Sequence, residues 1–127
     1  MPGDFHISAK AAIIGDSRML ILKNTQGWDL PGGRLEAGED LQGALRREIG
    51  EELPGVGEIK IGRMIGWHHH PPYPIEGRDL LVTIFEVSAS LPDPLVMSDE
   101  HIGFEWLPLD EAREVLRIFD IHWTQTP

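Results

Sequence analysis

The chain begins with two apolar segments separated by a short polar turn. ISAKAAII occupies residues 7–14, RMLIL occupies residues 18–22, and the turn-forming residues GDS lie between them. Short apolar runs bounded by such residues favour β-strands. The pattern predicts an antiparallel hairpin over these two segments, and a further short strand is expected around Trp28 to Leu30.

A glycine-rich segment then interrupts the apolar pattern. PGGRLEAG, residues 31–38, contains a proline and three glycines, which predicts a tight loop instead of regular structure. A helix is predicted next, with Asp40 as its N-cap and Pro54-Gly55 as its end. Apolar residues at intervals of four give this helix one apolar stripe. They are Leu41, Leu45, Ile49 and Leu53.

The second half of the chain alternates irregularly between predicted strands and loops before it ends in a helix. Branched and aromatic residues mark the strands, and proline-rich or polar stretches mark the loops. The predicted elements are strands over residues 58–67, 79–90 and 104–107, loops over residues 68–77 and 91–101, and a helix over residues 109–119. This order predicts an α/β or α+β sandwich, in which helices pack on a mixed sheet.

Length and composition narrow the class of protein. A chain of 127 residues suits a single domain over residues 1–127 that folds on its own core. Without cysteine, disulfides and thiolate metal sites are excluded. The N-terminal MPGDFHISAK lacks the pattern of a secretion signal, and no apolar run is long enough to span a membrane, so a cytoplasmic protein without membrane contact is expected. A formal net charge of −10 argues against binding duplex nucleic acid.

Three glutamates crowd one face of the predicted helix. Glu48, Glu51 and Glu52 have the i, i+3 and i+4 spacing of surface neighbours, so their carboxylates repel one another. Two hypotheses explain this charge: a cation bound between the carboxylates, or an acidic face that is simply solvated. Because seven acids lie in residues 36–58 and seven in residues 93–114, two segments could meet at one acidic site.

The loop and the helix together carry a recognisable motif. GRLEAGEDLQGALRREIGEELPG, residues 33–55, has Gly33, five residues, Glu39, seven residues, and then REIGEE. This resembles the box of the Nudix family, G, five residues, E, seven residues, REUXEEXGU with U aliphatic, and the preceding WDLPG is similar to the usual approach to that box. One departure follows Leu53, where Pro54 stands as if inserted before Gly55 and Val56. It is expected to alter the helix exit and leave the glutamate face unchanged.

The resemblance implies an α/β/α sandwich and a hydrolase that acts on a small-molecule nucleoside diphosphate derivative with Mg²⁺ or Mn²⁺. It implies that Glu48 and Glu52 are the chief metal ligands, that Glu51 and the Gly32 carbonyl are further ligands, and that Glu39 pairs with Arg47. Oxygen ligands of this kind suit hard divalent ions. Small members of such families often form homodimers.

The hydrolysis also needs a general base that activates water. Glu48, Glu100 and Glu105 are the candidates, and Glu100 is preferred because it lies in the predicted loop before a strand. Glu105 is expected within that strand, where the pleat fixes its direction.

The substrate itself is less well defined by the sequence. Trp67, His69, Tyr73 and His101 are candidate substrate contacts, through stacking or phosphate binding. A site with three histidine ligands in His68-His69-His70 is disfavoured, because neighbouring side chains of an extended segment point apart. The other tryptophans, Trp28, Trp106 and Trp123, are expected to pack in the core.

Several functions therefore remain open at this point. The substrate could be a nucleoside triphosphate, an ADP-ribose-like nucleotide sugar or a dinucleoside polyphosphate. A nucleotide-binding regulatory module without hydrolysis is the alternative class, and a purely structural acidic domain is the third.

Overall fold

The computed structural model describes residues 4–75 and 77–125, including side chains other than those of residues 70–75. Its elements, in chain order, are β1 (Phe5–Gly15), β2 (Arg18–Asn24), β3 (Gly27–Asp29), β4 (Gly32–Arg34), α1 (Leu41–Glu52), β5 (Ile59–Ile75), β6 (Arg78–Ala89), β7 (Gly103–Pro108), α2 (Leu109–Val115), a 3₁₀ turn (Leu116–Phe119) and β8 (His122–Trp123). Among the described residues, no helix is long and apolar enough to cross a membrane.

The sheet is mixed, and β1 connects its two halves. β1 pairs in parallel with β6 from Phe5 to Ile13, and β5 and β8 continue the sheet beyond β6. At its other end β1 forms the predicted antiparallel hairpin with β2, which in turn pairs with β3 and β7. The short strand β4 pairs with β1 at residues 32–34, so it places the glycine-rich segment against the middle of β1.

A helix covers each face of this sheet. Successive side chains of a strand point to opposite faces, so Ala11 and Leu20 pack with the α1 residues Leu45 and Ile49. Their strand neighbours, including Ala12 and Ile21, pack instead with Ala112 of α2 and Leu116 of the 3₁₀ turn. The predicted α/β/α sandwich with a mixed sheet is confirmed, and burial of both faces supplies its hydrophobic stabilisation.

The N-cap and the apolar stripe of α1 agree with the sequence. The Asp40 carboxylate accepts a hydrogen bond from the Gly43 N–H at 2.7 Å, which satisfies one of the free N–H groups of the first turn. After Glu52 the chain leaves the helix through a turn in which the Val56 N–H donates to the Leu53 carbonyl. The additional residue, Pro54, therefore lies after the last glutamate of the box.

Three predicted boundaries are wrong. Residues 31–38 are not loop throughout, because Gly32–Arg34 forms β4. Residues 68–77 are not a stiff loop, because β5 continues to Ile75 and pairs with β6 through His70. The C-terminal helix is shorter than residues 109–119, because the chain changes to a 3₁₀ turn at Leu116 and Asp120 has a φ of 53°.

Candidate active site

Two glycines allow the loop before α1 to approach both the sheet and the helix. Gly32 has a φ of +135°, and a Cβ there would collide with the Ala9 carbonyl oxygen. A Cβ on Gly33 would lie 2.6 Å from the carboxyl carbon of Glu48. Glycine is required at Gly32, because a side chain there would collide with the backbone of β1, whereas a side chain at Gly33 would displace the Glu48 carboxylate.

Glu52 is a buried carboxylate at the C-terminal end of α1. Only 6% of the residue is exposed, and its Oε2 accepts a hydrogen bond from the Gly32 N–H at 3.0 Å. Burial raises the pKa of Glu52 to about 7, although the Gly32 hydrogen bond and the charge of Lys10 oppose this shift. The negative charges of Glu48 and Glu100 raise the pKa further. A cation placed here would stabilise the ionised carboxylate.

Glu39 and Arg47 form a second charged group at the other end of the motif. The Arg47 guanidinium donates to both Glu39 carboxylate oxygens, at 2.8 and 2.9 Å. It also donates to Glu48 Oε1 at 2.9 Å and to the Arg34 carbonyl at 3.1 Å. The hydrogen bonds from Arg47, and then from the Glu36 N–H, lower the pKa of Glu39 to about 2. This bidentate pair fixes the loop against the helix and orients Glu48.

A cavity of about 450 Å³ brings the charged residues of three segments together. It is lined by Ser8, Lys10, Asp29, Gly32, Gly33, Arg34, Glu48, Glu52, His68, Leu80, Val82, Glu100 and Phe119. Glu100 reaches this cavity because its loop is fixed at both sides. The Ser98 N–H donates to the Glu52 carbonyl at 2.9 Å, and the Ile102 N–H donates to the Lys23 carbonyl at 2.8 Å.

The donor set fits a hard divalent ion. Glu48, Glu52 and Glu100 line the cavity beside the Gly32 residue, and carboxylate and carbonyl oxygens are the ligands that Mg²⁺ prefers. Within residues 4–75 and 77–125, no three acidic or histidine side chains form a ready-made metal cage. A partial protein shell agrees with Mg²⁺, which commonly retains water and takes further ligands from substrate phosphates.

Some residues predicted for the site lie elsewhere. The Glu51 side chain is 61% exposed and its Oε2 lies 3.5 Å from Arg47 Nη1, so the structure does not bring it to the cavity. Glu105 lies on β7 opposite Ile21 and does not line the cavity either. His101 is next to Glu100, but it is not a lining residue. Burial lowers the pKa of His101, and its Nδ1 has no hydrogen-bond partner among the described residues.

Two of the predicted substrate contacts on β5, Trp67 and His69, point away from the cavity. Trp67 stacks on His122 with ring centroids 4.3 Å apart, and His69 Nε2 lies 3.2 Å from the Asp79 carboxylate. Between them, His68 faces the cavity and its ring stacks on Phe119 at 5.4 Å. The alternation of side chains along a strand explains this arrangement. The side chain of Tyr73 lies outside the described residues.

Sequence reasoning missed several residues of the cavity, among them Lys10, Asp29, His68 and Phe119. His68 would have been found if residues 68–70 had been assigned to a strand. The signal for Lys10 was present, since it is the charged residue within the apolar run ISAKAAII, and a lysine is seldom buried without partners. Phe119 gave no signal, because its position depends on the bend after α2.

Comparison with known proteins agrees with the box and with the surrounding fold. The model of the NUDIX domain matches residues 4–126. The chain belongs to the Nudix family. An RNA pyrophosphohydrolase from Caulobacter vibrioides is 31% identical in a match that covers 70% of this chain and 60% of that protein. The chain therefore spans about 60% of the length of the curated relatives it matches.

Solved structures share this Nudix fold. The solution structure of the E. coli ORF135 protein has a TM-score of 0.73 and 25% identity, and the match covers 89% of this chain and 80% of that protein. The crystal structure of a MutT protein from Methanosarcina mazei Go1 has a TM-score of 0.71 and 22% identity, with 94% and 96% of the two chains covered. The second comparison concerns the fold alone.

Proposed function

We propose that this Nudix domain, over residues 1–127, is a pyrophosphohydrolase that hydrolyses a phosphoanhydride bond of a nucleoside diphosphate derivative by attack of water on phosphorus. The observation that supports this most strongly is the burial of Glu52 beside the other glutamates of the cavity. The residue is 6% exposed, its carboxylate accepts a hydrogen bond from the Gly32 N–H at 3.0 Å, and it shares a cavity with two further glutamates. In its ionised form, a carboxylate buried in this way destabilises the fold unless a cation compensates its charge.

In this proposal Glu48, Glu52 and the Gly32 carbonyl hold one Mg²⁺ or Mn²⁺, and Glu51 is at most an outer ligand through water. The bound ion would polarise the phosphate and stabilise charge on the leaving group. Glu100 accepts the proton of the attacking water, because it lines the same cavity and its loop is anchored on both sides. The Arg47 and Glu39 pair positions Glu48, and it makes no contact with substrate.

The cavity also supports a substrate of limited size. A volume of about 450 Å³ lies within the usual range for small-molecule sites, of roughly 300–1,000 Å³. Lys10 and Arg34 supply positive charge for phosphates, while His68 and Phe119 form an aromatic wall against which a base can pack. A free nucleotide is therefore our first candidate for the substrate.

RNA with a 5′ phosphate chain is the second candidate, because the 31% identical relative is named an RNA pyrophosphohydrolase. Only the terminal nucleotide would need to enter the cavity. The formal net charge of −10 opposes extensive contacts with the rest of an RNA strand, since such contacts depend on neutralising phosphates.

A substrate panel tests the proposal directly. Nucleoside triphosphates, 8-oxo-dGTP, ADP-ribose, NADH, diadenosine polyphosphates and a short 5′-triphosphorylated RNA would be incubated with and without Mg²⁺, with phosphate and pyrophosphate measured separately. Turnover confined to the Mg²⁺ samples and abolished in Glu52→Gln is the expected result. Tight nucleotide binding without turnover would instead support the regulatory module.

A further inference from the structure

Lys10 is a partly buried cation in the middle of an apolar strand. Its side chain is 18% exposed, and its neighbours in sequence, Ala9 and Ala11, are fully buried. The ammonium group lies 3.2 Å from Asp29 Oδ2, 3.3 Å from the Leu30 carbonyl and 3.4 Å from the Gly32 carbonyl. Three acceptors match the three donors of an ammonium, which explains how the lysine can be partly buried.

All three acceptors belong to residues 29–32, the segment that contributes the Gly32 carbonyl to the proposed metal site. The Gly32 carbonyl is the backbone oxygen assigned above to the divalent ion, and the Gly32 N–H contacts Glu52. Lys10 and Glu52 both line the cavity. The Lys10 ammonium therefore neutralises part of the negative charge that would attract a divalent ion. Two cations cannot share one carbonyl oxygen without repelling each other.

The loop does not depend on this lysine for its shape. The Ala11 N–H donates to the Pro31 carbonyl at 2.7 Å, and the Leu35 N–H donates to the Ile7 carbonyl at 2.8 Å. These backbone bonds hold both ends of the segment on β1. Removal of the ammonium should therefore change the charge at the site more than the position of the loop.

We propose that Lys10 is a resident cation that competes with the divalent ion, so that the site binds the ion weakly until a diphosphate brings compensating negative charge. This inference rests on the proposed function, because it uses the same metal site. Lys10 therefore acts as a positioning residue for the ion and the phosphates together. Its ammonium repels the divalent ion alone and attracts the ion–diphosphate complex.

Calorimetric titration of the substrate-free protein with Mn²⁺ tests the competition. The variant Lys10→Gln keeps a hydrogen-bond donor but has no charge, and Lys10→Arg keeps the charge. Lys60→Gln is the matched control, since Lys60 is 74% exposed and pairs only with Glu58 among the described residues. At pH 8.5, above the pKa of Glu52, we expect Lys10→Gln to bind Mn²⁺ at least about tenfold more tightly than the parent, equivalent to about 1.4 kcal/mol. Lys10→Arg and Lys60→Gln should bind as the parent does.

A second titration uses methylenediphosphonate, a diphosphate that cannot be hydrolysed, together with Mn²⁺. The coupling between Mn²⁺ and the diphosphate is reciprocal, so each ligand should strengthen the binding of the other in the parent. The affinity for the Mn²⁺–methylenediphosphonate complex, divided by the affinity for Mn²⁺ alone, measures this coupling. This ratio should be at least tenfold smaller in Lys10→Gln than in the parent. Lys10→Met provides a second uncharged variant if Lys10→Gln unfolds, and it should give the same two changes.

The outcomes separate this inference from the proposed function. Suppose that the parent binds Mn²⁺ and Glu52→Gln does not, while Lys10→Gln binds Mn²⁺ as the parent does or more weakly. The proposed competition between Lys10 and the ion would then be wrong, and the proposed metal site would be supported. If neither the parent nor any Lys10 variant binds Mn²⁺, with or without methylenediphosphonate, both the metal site and the competition are wrong.

Discussion

Glu39 and Glu52 are the same residue type in one motif, yet their surroundings differ completely. Glu39 accepts two hydrogen bonds from Arg47, and the pKa of its carboxyl falls to about 2. Glu52 is buried, receives one backbone hydrogen bond, and the pKa of its carboxyl rises to about 7. The first carboxylate is neutralised within the chain, whereas the second remains available to a ligand cation.

This difference separates charges that maintain the fold from charges that bind a ligand. A carboxylate that already has a bidentate partner has little to gain from a metal. A buried carboxylate without such a partner destabilises the metal-free fold when it ionises. The contrast predicts opposite effects for equivalent substitutions at the two ends of the motif.

The largest expected effect is that of Glu52→Gln. The amide keeps an oxygen that can accept the Gly32 N–H, but it removes a negative metal ligand, so kcat should fall about 10³-fold in the presence of Mg²⁺. The free energy of unfolding without metal should be unchanged or higher. Steady-state kinetics and urea denaturation measure both quantities, and a variant as active as the parent would remove Glu52 from the site.

The next effect concerns the general base. Glu100→Gln should lower kcat by about 10² while the affinity for Mn²⁺ stays close to that of the parent, because Glu100 acts on water and is not a chief ligand. Kinetics and Mn²⁺ titration together check this. A loss of less than a few-fold would transfer the role of base to Glu48.

At the other end of the motif, Glu39→Gln should have a smaller effect on catalysis and a clear effect on stability. Loss of the charged bond to Arg47 should lower Tm and reduce kcat by roughly 10-fold to 100-fold, as expected when support for a metal ligand is lost. Glu114→Gln is the control, because its pair with Arg117 is 68–75% exposed and should contribute little. Equal changes in Tm for the two variants would contradict a special role for Glu39.

The same comparison predicts a pH dependence of stability. In the unfolded chain the Glu52 carboxyl ionises near 4.5, whereas in the fold it remains protonated up to about 7. The metal-free protein should therefore lose up to about 3 kcal/mol of unfolding free energy as pH rises through this window. Urea denaturation of the parent and Glu52→Gln from pH 4.5 to 8 isolates this contribution as their difference. A constant difference would show that burial does not raise the pKa of Glu52.

The smallest expected effect is that of Trp67→Ala. The indole faces away from the cavity and stacks on His122, so kcat/KM should change by less than about threefold. Phe119→Ala, which removes part of the aromatic wall, should raise KM more than it changes kcat. Comparison of the two variants determines which face of β5 contacts the substrate.

The Nudix box could be predicted from the sequence because its residues lie close together along the chain. Asp40 follows from the capping preference of aspartate, and the apolar stripe and the glutamates follow from helix periodicity. The burial of Glu52 was not readable, since it depends on Gly32 and on a loop more than 40 residues further along the chain that carries Glu100. Long-range contacts of this kind decide which glutamate of an acidic helix is desolvated.

Strand β5, which contains the consecutive histidines and the prolines, is a second feature that the sequence did not predict. Proline lacks an N–H and is tolerated in edge strands or at irregular positions. In the described residues β8 pairs with β5 only at Gly66 and Trp67, and the pairing of β5 with β6 is irregular between His70 and Ile75. The prolines therefore lie where fewer backbone N–H donors are required for strand pairing. The amino-acid composition alone did not indicate this position.

We infer that one divalent ion binds between the Gly32 carbonyl, Glu48 and Glu52. A crystal soaked in Mn²⁺ and measured at the manganese absorption edge would locate the ion directly. An anomalous peak within bonding distance of these three groups is the predicted result. A peak held only by exposed carboxylates such as Glu51 and Glu36, with Glu52 left unbound, would show that Glu52 is not a ligand of the ion.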